Sequence, residues 1–512
     1  MRHALARHVP PETLPASVRA RFGLCGVEEA YRQIHEPTDR DALERARRRL
    51  VFEEFFHFSL ALALVRTRRA VQHTAPYDTE LAAPFFEALP FCLTGAQRRA
   101  IDEIFSDLRG GVPMSRLVQG DVGSGKTVVA AAAAFCAAKN GVQTALMAPT
   151  EILARQHYDR LAPMLGALGV RCGLLTGSMT PKQKTQCREA LLAGSIDVLV
   201  GTHALFSETT VFRRLGLVIA DEQHRFGVAQ RAALLHKGVQ PHLLIMSATP
   251  IPRTLALFLY GDLDVSVMDE LPPGRQPVDT FLVDERYRKR LNAFIRKQAD
   301  EGHQVFIVCP AIEESETDDL KAAEQWAQTL REQVFPRLRV ALLHGKMRGA
   351  EKEAVMQAFA EGQYDLLVST TVVEVGVDVP NATLMVVENA ERFGLSQLHQ
   401  LRGRVGRGTA SSYCVLVSST RSEETRKRLK ALCATNDGFR IAEEDLRLRG
   451  PGDFFGSRQH GLPLFRLGGL ANDMNVLQEA QEAAAETLRS GEPLAQALRQ
   501  RVDALLIEEN PA

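Results

Sequence analysis

Gly120-Asp121-Val122-Gly123-Ser124-Gly125-Lys126-Thr127 fits the phosphate-binding loop pattern G-x-x-x-x-G-K-[ST] at every fixed position. The apolar pair Leu117-Val118 leads into it and the helix-forming run Val128–Ala138 follows, which is the strand–loop–helix setting the pattern needs. The residue types answer to polyphosphate chemistry. Gly120, Gly123 and Gly125 let the backbone turn tightly and bring its N–H groups to phosphate oxygens. The helix that begins there adds free N–H donors and a positive dipole end. Lys126 would reach the β/γ-phosphates, and the Thr127 hydroxyl would ligate Mg²⁺.

Working outward, residues 89–272 alternate apolar strands with helical stretches, the signature of a parallel α/β domain. The strands expected are Arg116–Gln119, Thr144–Ala148, Val198–Gly201, Leu217–Ala220 and Leu243–Ser247. Each ends in polar residues, at the sheet edge where open α/β sheets place their ligands. Leu271-Pro272-Pro273-Gly274-Arg275 breaks the pattern and reads as a hinge. A second α/β set follows at Val305–Cys309, Val340–Leu343, Leu366–Ser369, Thr383–Val387 and Cys414–Val417, without a second phosphate-binding loop. Beyond about residue 430 the strands stop; Asn436–Gln459 is rich in glycine and charge, and Asn472–Leu506 reads as helices. The domains expected are therefore 1–88, 89–272, 273–430 and 431–512. Within the first, Asp41–Arg69 reads as one helix, basic at Arg45, Arg47, Arg48 and Arg49, apolar from Phe52 to Leu64, and basic again at Arg66, Arg68 and Arg69. It is either a DNA-facing connector or an amphipathic helix that packs on the motor with its arginines solvated.

Composition narrows the class. The chain has 512 residues, enough for about three domains. Its formal net charge is zero, so any nucleic-acid contact must come from local patches. Eight cysteines are scattered without a C-x-x-C pair, which leaves no zinc site or disulfide framework to read and suits a reducing cytosol. Met1–Leu5 lacks the apolar core of a signal peptide, and the apolar run Leu60–Val65 is far too short to span a bilayer. A cytoplasmic protein with no membrane partner is expected.

Several strand ends can be read against the phosphate loop. Asp221-Glu222-Gln223-His224 follows a strand, so Asp221 is assigned to Mg²⁺ and Glu222 to the general base that polarises attacking water. Phe91 and Gln97 precede the loop; Gln97 either reads an adenine edge or is a polar residue at a helix start. The hydroxyls of Thr150, Thr202 and Thr249 suit sugar–phosphate contact or coupling to the γ-phosphate. In the second half, Gln400-Leu401-Arg402-Gly403-Arg404-Val405-Gly406-Arg407 is basic and punctuated by glycine. Arg404 and Arg407 could reach across a cleft and neutralise charge building on the γ-phosphate. Gly376 and Asp378, in Glu374–Asp378, could sense nucleotide and strand together.

The ordered set Gly120–Thr127, Asp221–His224, Ser247–Thr249, Gly376–Asp378 and Gln400–Arg407 resembles the motor of the second helicase superfamily over roughly residues 89–430. Finer stretches resemble the RecG family of branched-DNA translocases: Asp221–Gly227, Ser247–Thr254, Asp269–Arg275, Ile312–Ser315, and Asn436–Phe439 through Asp445-Leu446 to Arg449–Asp453. The transcription–repair coupling factor shares much of this, but Asp269–Arg275 favours RecG. The resemblance implies an α/β fold of two tandem RecA-like parallel-sheet domains, with an N-terminal helical segment and a C-terminal helical segment that couples motor closure to movement along duplex DNA. It implies ATP and Mg²⁺ as cofactors, branched and duplex DNA and single-strand-binding protein as partners, and a monomer at work near the bacterial nucleoid. Carried over, Arg447 and Arg449 lie in the coupling segment, and Gln400 contacts the strand.

Proteins of that family carry a large N-terminal wedge domain, built on an oligonucleotide-binding barrel, that splits the fork. Here Lys126 lies only about 120 residues from Met1 and the leading segment reads as helix rather than as short strands, so the wedge is expected to be absent. Two functions follow: an ATP-driven translocase that remodels branched DNA, or a DNA-stimulated ATPase that binds without unwinding. An RNA-remodelling enzyme on the same motor is a third.

Overall fold

The computed structural model describes residues 10–70, 73–221, 237–238, 240–248, 263–273, 275–310, 324–370, 379–408, 410–449, 467–469, 473–490 and 493–509. The chain divides into two compact units. One comprises 73–251 and 265–445, the other 1–72, 252–264 and 446–512.

The first unit holds two parallel sheets. Its N-terminal lobe contains β1 (Ser115–Gly120), β2 (Gln143–Met147), β3 (Cys172–Leu175), β4 (Val198–Gly201), β5 (Leu215–Asp221), β6 (His242–Ser247) and β7 (Asp264–Met268). They lie in the order β3-β4-β2-β5-β6-β1-β7. The second lobe contains β8 (Val278–Val283), β9 (Gln304–Val308), β10 (Val340–Leu343), β11 (Leu366–Ser369), β12 (Ala382–Val387) and β13 (Ser412–Val417), ordered β10-β11-β9-β12-β13-β8. All five pairings of the second sheet are parallel, as are β1–β6, β5–β6, β2–β5, β2–β4 and β3–β4.

The central strands are apolar throughout because helices cover both faces of a parallel sheet. The helix Lys126–Lys139 shows why. Every residue from Val128 to Ala137 is buried, and the five alanines Ala130–Ala134 keep its surface low enough for close approach. Every expected strand is present, with bounds within two residues of those expected. Three more were not foreseen, β3, β7 and β8, and all three lie at sheet edges. There one side is open, and the apolar run breaks: β8 alternates, with Phe281 51% exposed beside buried Val278.

The second unit is helical where it is described. The helix expected at Asp41–Arg69 runs from Arg40 to Ala70 and packs on Val27–His35, Met474–Arg489 and Gln496–Glu509. Arg45, Arg47 and Arg48 are exposed, as the solvated reading expects, whereas Arg49 is buried. Arg47 forms a two-pronged pair with Asp473, at 2.8 Å for each bond, and Arg48 pairs with Glu479 at 2.8 Å. Arg49 is fully buried, donating to Glu12, to Glu53 at 2.9 Å and to the Cys25 carbonyl at 3.0 Å. The side chains of Arg66, Arg68 and Arg69 lie outside the described residues. Arg49→Ala would leave two carboxylates without their buried cation, so a loss of about 3–5 kcal/mol is expected. Urea unfolding monitored on this unit measures it.

Candidate functional site

The phosphate loop leaves β1 at Gly120 and enters its helix at Lys126. Gly123 and Gly125 take φ values of +81° and +87°, the left-handed region that a side chain disfavours. Space forbids a side chain as well. A Cβ on Gly125 would lie 2.2 Å from Gln97 Nε2, and one on Gly120 would lie 2.8 Å from Met268 Cβ and from Ser124 Oγ. The loop is thus a bare backbone turn at a helix N-terminus, which fits a polyphosphate. Gly125→Ala is expected to lower affinity for a fluorescent ATP analogue by more than about tenfold, since left-handed strain and displacement of Gln97 each cost about 1–2 kcal/mol.

Gln97 braces the loop. Its Nε2 donates to Ser124 O at 2.9 Å, and its Oε1 accepts from Thr94 N at 2.9 Å in a capping box. It is 3% exposed, whereas Phe91 is 51% exposed. Both ends of the amide are thus engaged with the protein. Lys126 Nζ lies back across the loop, donating to Gly120 O at 2.7 Å and Asp121 O at 2.9 Å. Arg275, from the hinge, donates to Val122 O. Thr127 is half-buried in the first turn of the helix.

Strand register sets the rest of the edge. Met246 of β6 pairs with both Val118 and Asp221, and Ser247 pairs with Gln119. Asp221 therefore ends its strand level with the start of the phosphate loop, two strands away. His157, 7% exposed, meets its Oδ2 at 2.7 Å. Further along, Met147 pairs with Ala220 and Gly201, which brings Thr150 and Thr202 to the same edge. Thr150 caps its helix, accepting from Leu153 N at 3.4 Å. Thr202 is 1% exposed with its hydroxyl buried, so only its backbone could meet a strand. Glu222, Thr249, Gly376 and Asp378 lie outside the described residues.

The second lobe meets this loop directly. Gly403 sits so close that a Cβ on it would be 2.9 Å from Val122 Cβ. Arg404 is 8% exposed, Arg407 is half-buried with its Nε donating to Gly403 O at 3.2 Å, and Gln400 is half-buried. The segment assigned to charge neutralisation is thereby brought against the loop that carries Lys126. Arg447 is exposed near the end of the helix Gly438–Arg449; the side chain of Arg449 is outside the described residues.

A residue that sequence reading passed over joins the two lobes. Asp121 Oδ1 accepts from His399 Nε2 at 2.5 Å, and Asp121 Oδ2 accepts from Gly438 N at 3.1 Å. Burial alone would raise the Asp121 carboxyl. The His399 hydrogen bond, the Gly438 N–H and the Lys126 ammonium outweigh it and hold the group below its ordinary value. Nothing in the spacing signals this contact, which spans 278 positions. Among the described residues no group of three or more His, Cys, Asp or Glu could hold a metal unaided, and no helix is long and apolar enough to cross a membrane.

Residues 94–258 match the DEAD/DEAH box helicase family and 287–409 the helicase conserved C-terminal domain. Residues 435–502 match the family described as ATP-dependent DNA helicase RecG, domain 3, C-terminal. A Synechocystis protein named ATP-dependent DNA helicase RecG is 53% identical over 485 residues, covering 94% of this chain and 58% of that protein. The Bacillus subtilis protein of the same name is 46% identical over 483 residues, covering 94% and 71%. A solved structure of RecG bound to a three-way DNA junction superposes with a TM-score of 0.76 at 46% identity, covering 91% of this chain and 62% of the other. The chain thus spans about three fifths of the Synechocystis protein and of the RecG chain in that structure.

Proposed function

The chain belongs to the RecG family of ATP-dependent DNA helicases, and on that premise we propose that it is an ATP-driven translocase on duplex DNA that remodels branched DNA. The observation that carries this reading is the seat of Gly403 on Val122, which puts an arginine-bearing segment of one lobe on the phosphate loop of the other.

Within this proposal the backbone N–H groups of Gly123–Lys126 cradle the phosphates, and Lys126 turns from the loop carbonyls to the β/γ-phosphates. Thr127 and Asp221 would hold Mg²⁺, with His157 fixing the Asp221 carboxylate. Held there, the ion would supply positive charge to offset the negative charge of the phosphates. Glu222 takes the proton of the attacking water. Arg404 and Arg407 neutralise the transferring group, so the chemistry proceeds only with the lobes together. Phe91 stands ready to stack on the base; Gly376 and Asp378 report nucleotide to the strand. Thr150, Thr202, Thr249 and Gln400 hold the sugar–phosphate chain, and Arg447 and Arg449 pass lobe movement to the duplex. The proposed partners are branched and duplex DNA and single-strand-binding protein; the proposed working form is a cytoplasmic monomer.

The purified chain is expected to release phosphate faster on a labelled model fork than without DNA, and to convert that fork to regressed product. Phosphate release no higher than that of Lys126→Ala would sink the enzyme reading. Release without fork conversion would establish the DNA-stimulated ATPase that does not unwind. Stronger activation by RNA than by duplex DNA would point to RNA remodelling.

A further inference from the structure

The phosphate-loop pattern leaves the position of Asp121 open, and a carboxylate is a costly choice there. Next to a polyphosphate it adds like-charge repulsion. Its engagement is also unusual, because both oxygens are used, and neither on its own lobe. Oδ1 accepts from His399, which lies next to Gln400 at the head of the arginine segment, and Oδ2 accepts from Gly438 N at the start of the helix Gly438–Arg449. The carboxylate also favours that helix N-terminus electrostatically.

The proton positions follow from the partners. Arg402, 3% exposed, donates from Nη2 to His399 Nδ1 at 2.9 Å, and a guanidinium can only donate. His399 Nδ1 is therefore an acceptor and its proton sits on Nε2, aimed at Asp121. Arg402 Nη1 donates to Leu432 O and Thr435 O, both at 2.8 Å. Asp121, His399 and Arg402 thus form a continuous polar chain from the phosphate loop to the segment leading into Gly438. The main chain of the same aspartate takes Lys126 Nζ on its carbonyl.

We propose that Asp121 is a positioning residue that reports nucleotide occupancy to the second lobe and to the helix Gly438–Arg449. The proposal rests on the reading of Gly120–Thr127 as the nucleotide loop. A polyphosphate that draws Lys126 away frees the Asp121 carbonyl and sets new negative charge near its carboxylate. The repulsion displaces the carboxylate from His399 Nε2 and Gly438 N, so occupancy of the loop loosens the start of the helix.

Hydrogen-exchange mass spectrometry of the full chain, on a peptide covering 435–441 and with ATPγS and Mg²⁺ as the probe, tests this. In the native protein ATPγS is expected to speed exchange there by about tenfold, the scale for losing a hydrogen bond to a charged group. In Asp121→Ala exchange is expected to be fast already and indifferent to ATPγS, while a fluorescent nucleotide still binds. His399→Phe, which cannot donate, is expected to behave likewise, and His399→Gln, which can, to regain part of the response; these two decide the matter if Asp121→Ala does not fold. An unchanged exchange rate in native protein saturated with ATPγS, or an equal response in Asp121→Ala or His399→Phe, would overturn the proposal. Failure of the native protein to bind ATPγS at all would remove the nucleotide reading itself, and the proposal with it.

Discussion

Alanine at Arg404 or at Arg407 is expected to lower the turnover of ATP hydrolysis by about 10³–10⁵-fold while nucleotide affinity changes by no more than about tenfold. The split follows from when each charge is needed. Negative charge accumulates on the transferring phosphoryl oxygens as the bond breaks, so a cation placed for that moment contributes to the barrier and little to binding. The geometry gives these residues a fixed approach: Gly403 has no room for a Cβ against Val122, and Arg407 Nε is tied to the Gly403 carbonyl at 3.2 Å. Arg407→Lys keeps the charge but loses the planar fork, and is expected to recover only part of the rate. Steady-state turnover set beside equilibrium titration of a fluorescent ATP analogue measures both quantities, with thermal melts to confirm folding because Arg404 is buried. A loss in turnover below about tenfold for both alanine variants would contradict an arginine-finger role.

Lys126→Ala is expected to fail in a different way. Lys126 contributes to both the bound state and the transition state, so affinity should fall along with turnover, and turnover by about 10²–10³-fold. Gly120 O and Asp121 O, to which Lys126 donates, are loop carbonyls that remain after the substitution, so the backbone turn should persist and the melting temperature should change little. Lys126→Arg is expected to be nearly as inactive as the alanine variant, since a guanidinium is too broad for a point-charge site between phosphates. Near-normal turnover by Lys126→Ala on a DNA fork would exclude the loop as the site of hydrolysis.

The order of motifs along the chain made the two sheets and the nucleotide edge legible. Central strands such as Val198–Gly201 and Leu366–Ser369 are buried on both faces and read as unbroken apolar runs. The edge strands β3, β7 and β8 escaped because exposure interrupts that run, in β8 at Asp279 and Phe281. Gln97 was visible as a candidate, but its bracing of the loop was not. A motif fixes which residue is present, while its partner, Ser124 O, depends on where a loop 27 residues later returns. The Asp121–His399 contact had no signal at all, because neither residue occupies a fixed position of its motif. The ion pairs of Arg47 and Arg48 gave no signal for a related reason. Their carboxylate partners Asp473 and Glu479 lie more than 400 positions away, beyond any pattern a local window can register.

That last pairing has a consequence for biosynthesis. The helix Arg40–Ala70 is made early, whereas its partner Met474–Arg489 leaves the ribosome roughly 400 residues later, about 20–80 s at ordinary elongation rates. Throughout that interval the helix that carries Phe52, Phe55, Phe56 and Leu60, all fully enclosed in the finished protein, lacks the packing of Met474–Arg489. Ribosome stalling before codon 474 is expected to yield nascent chains that protease cleaves first within the helix Arg40–Ala70.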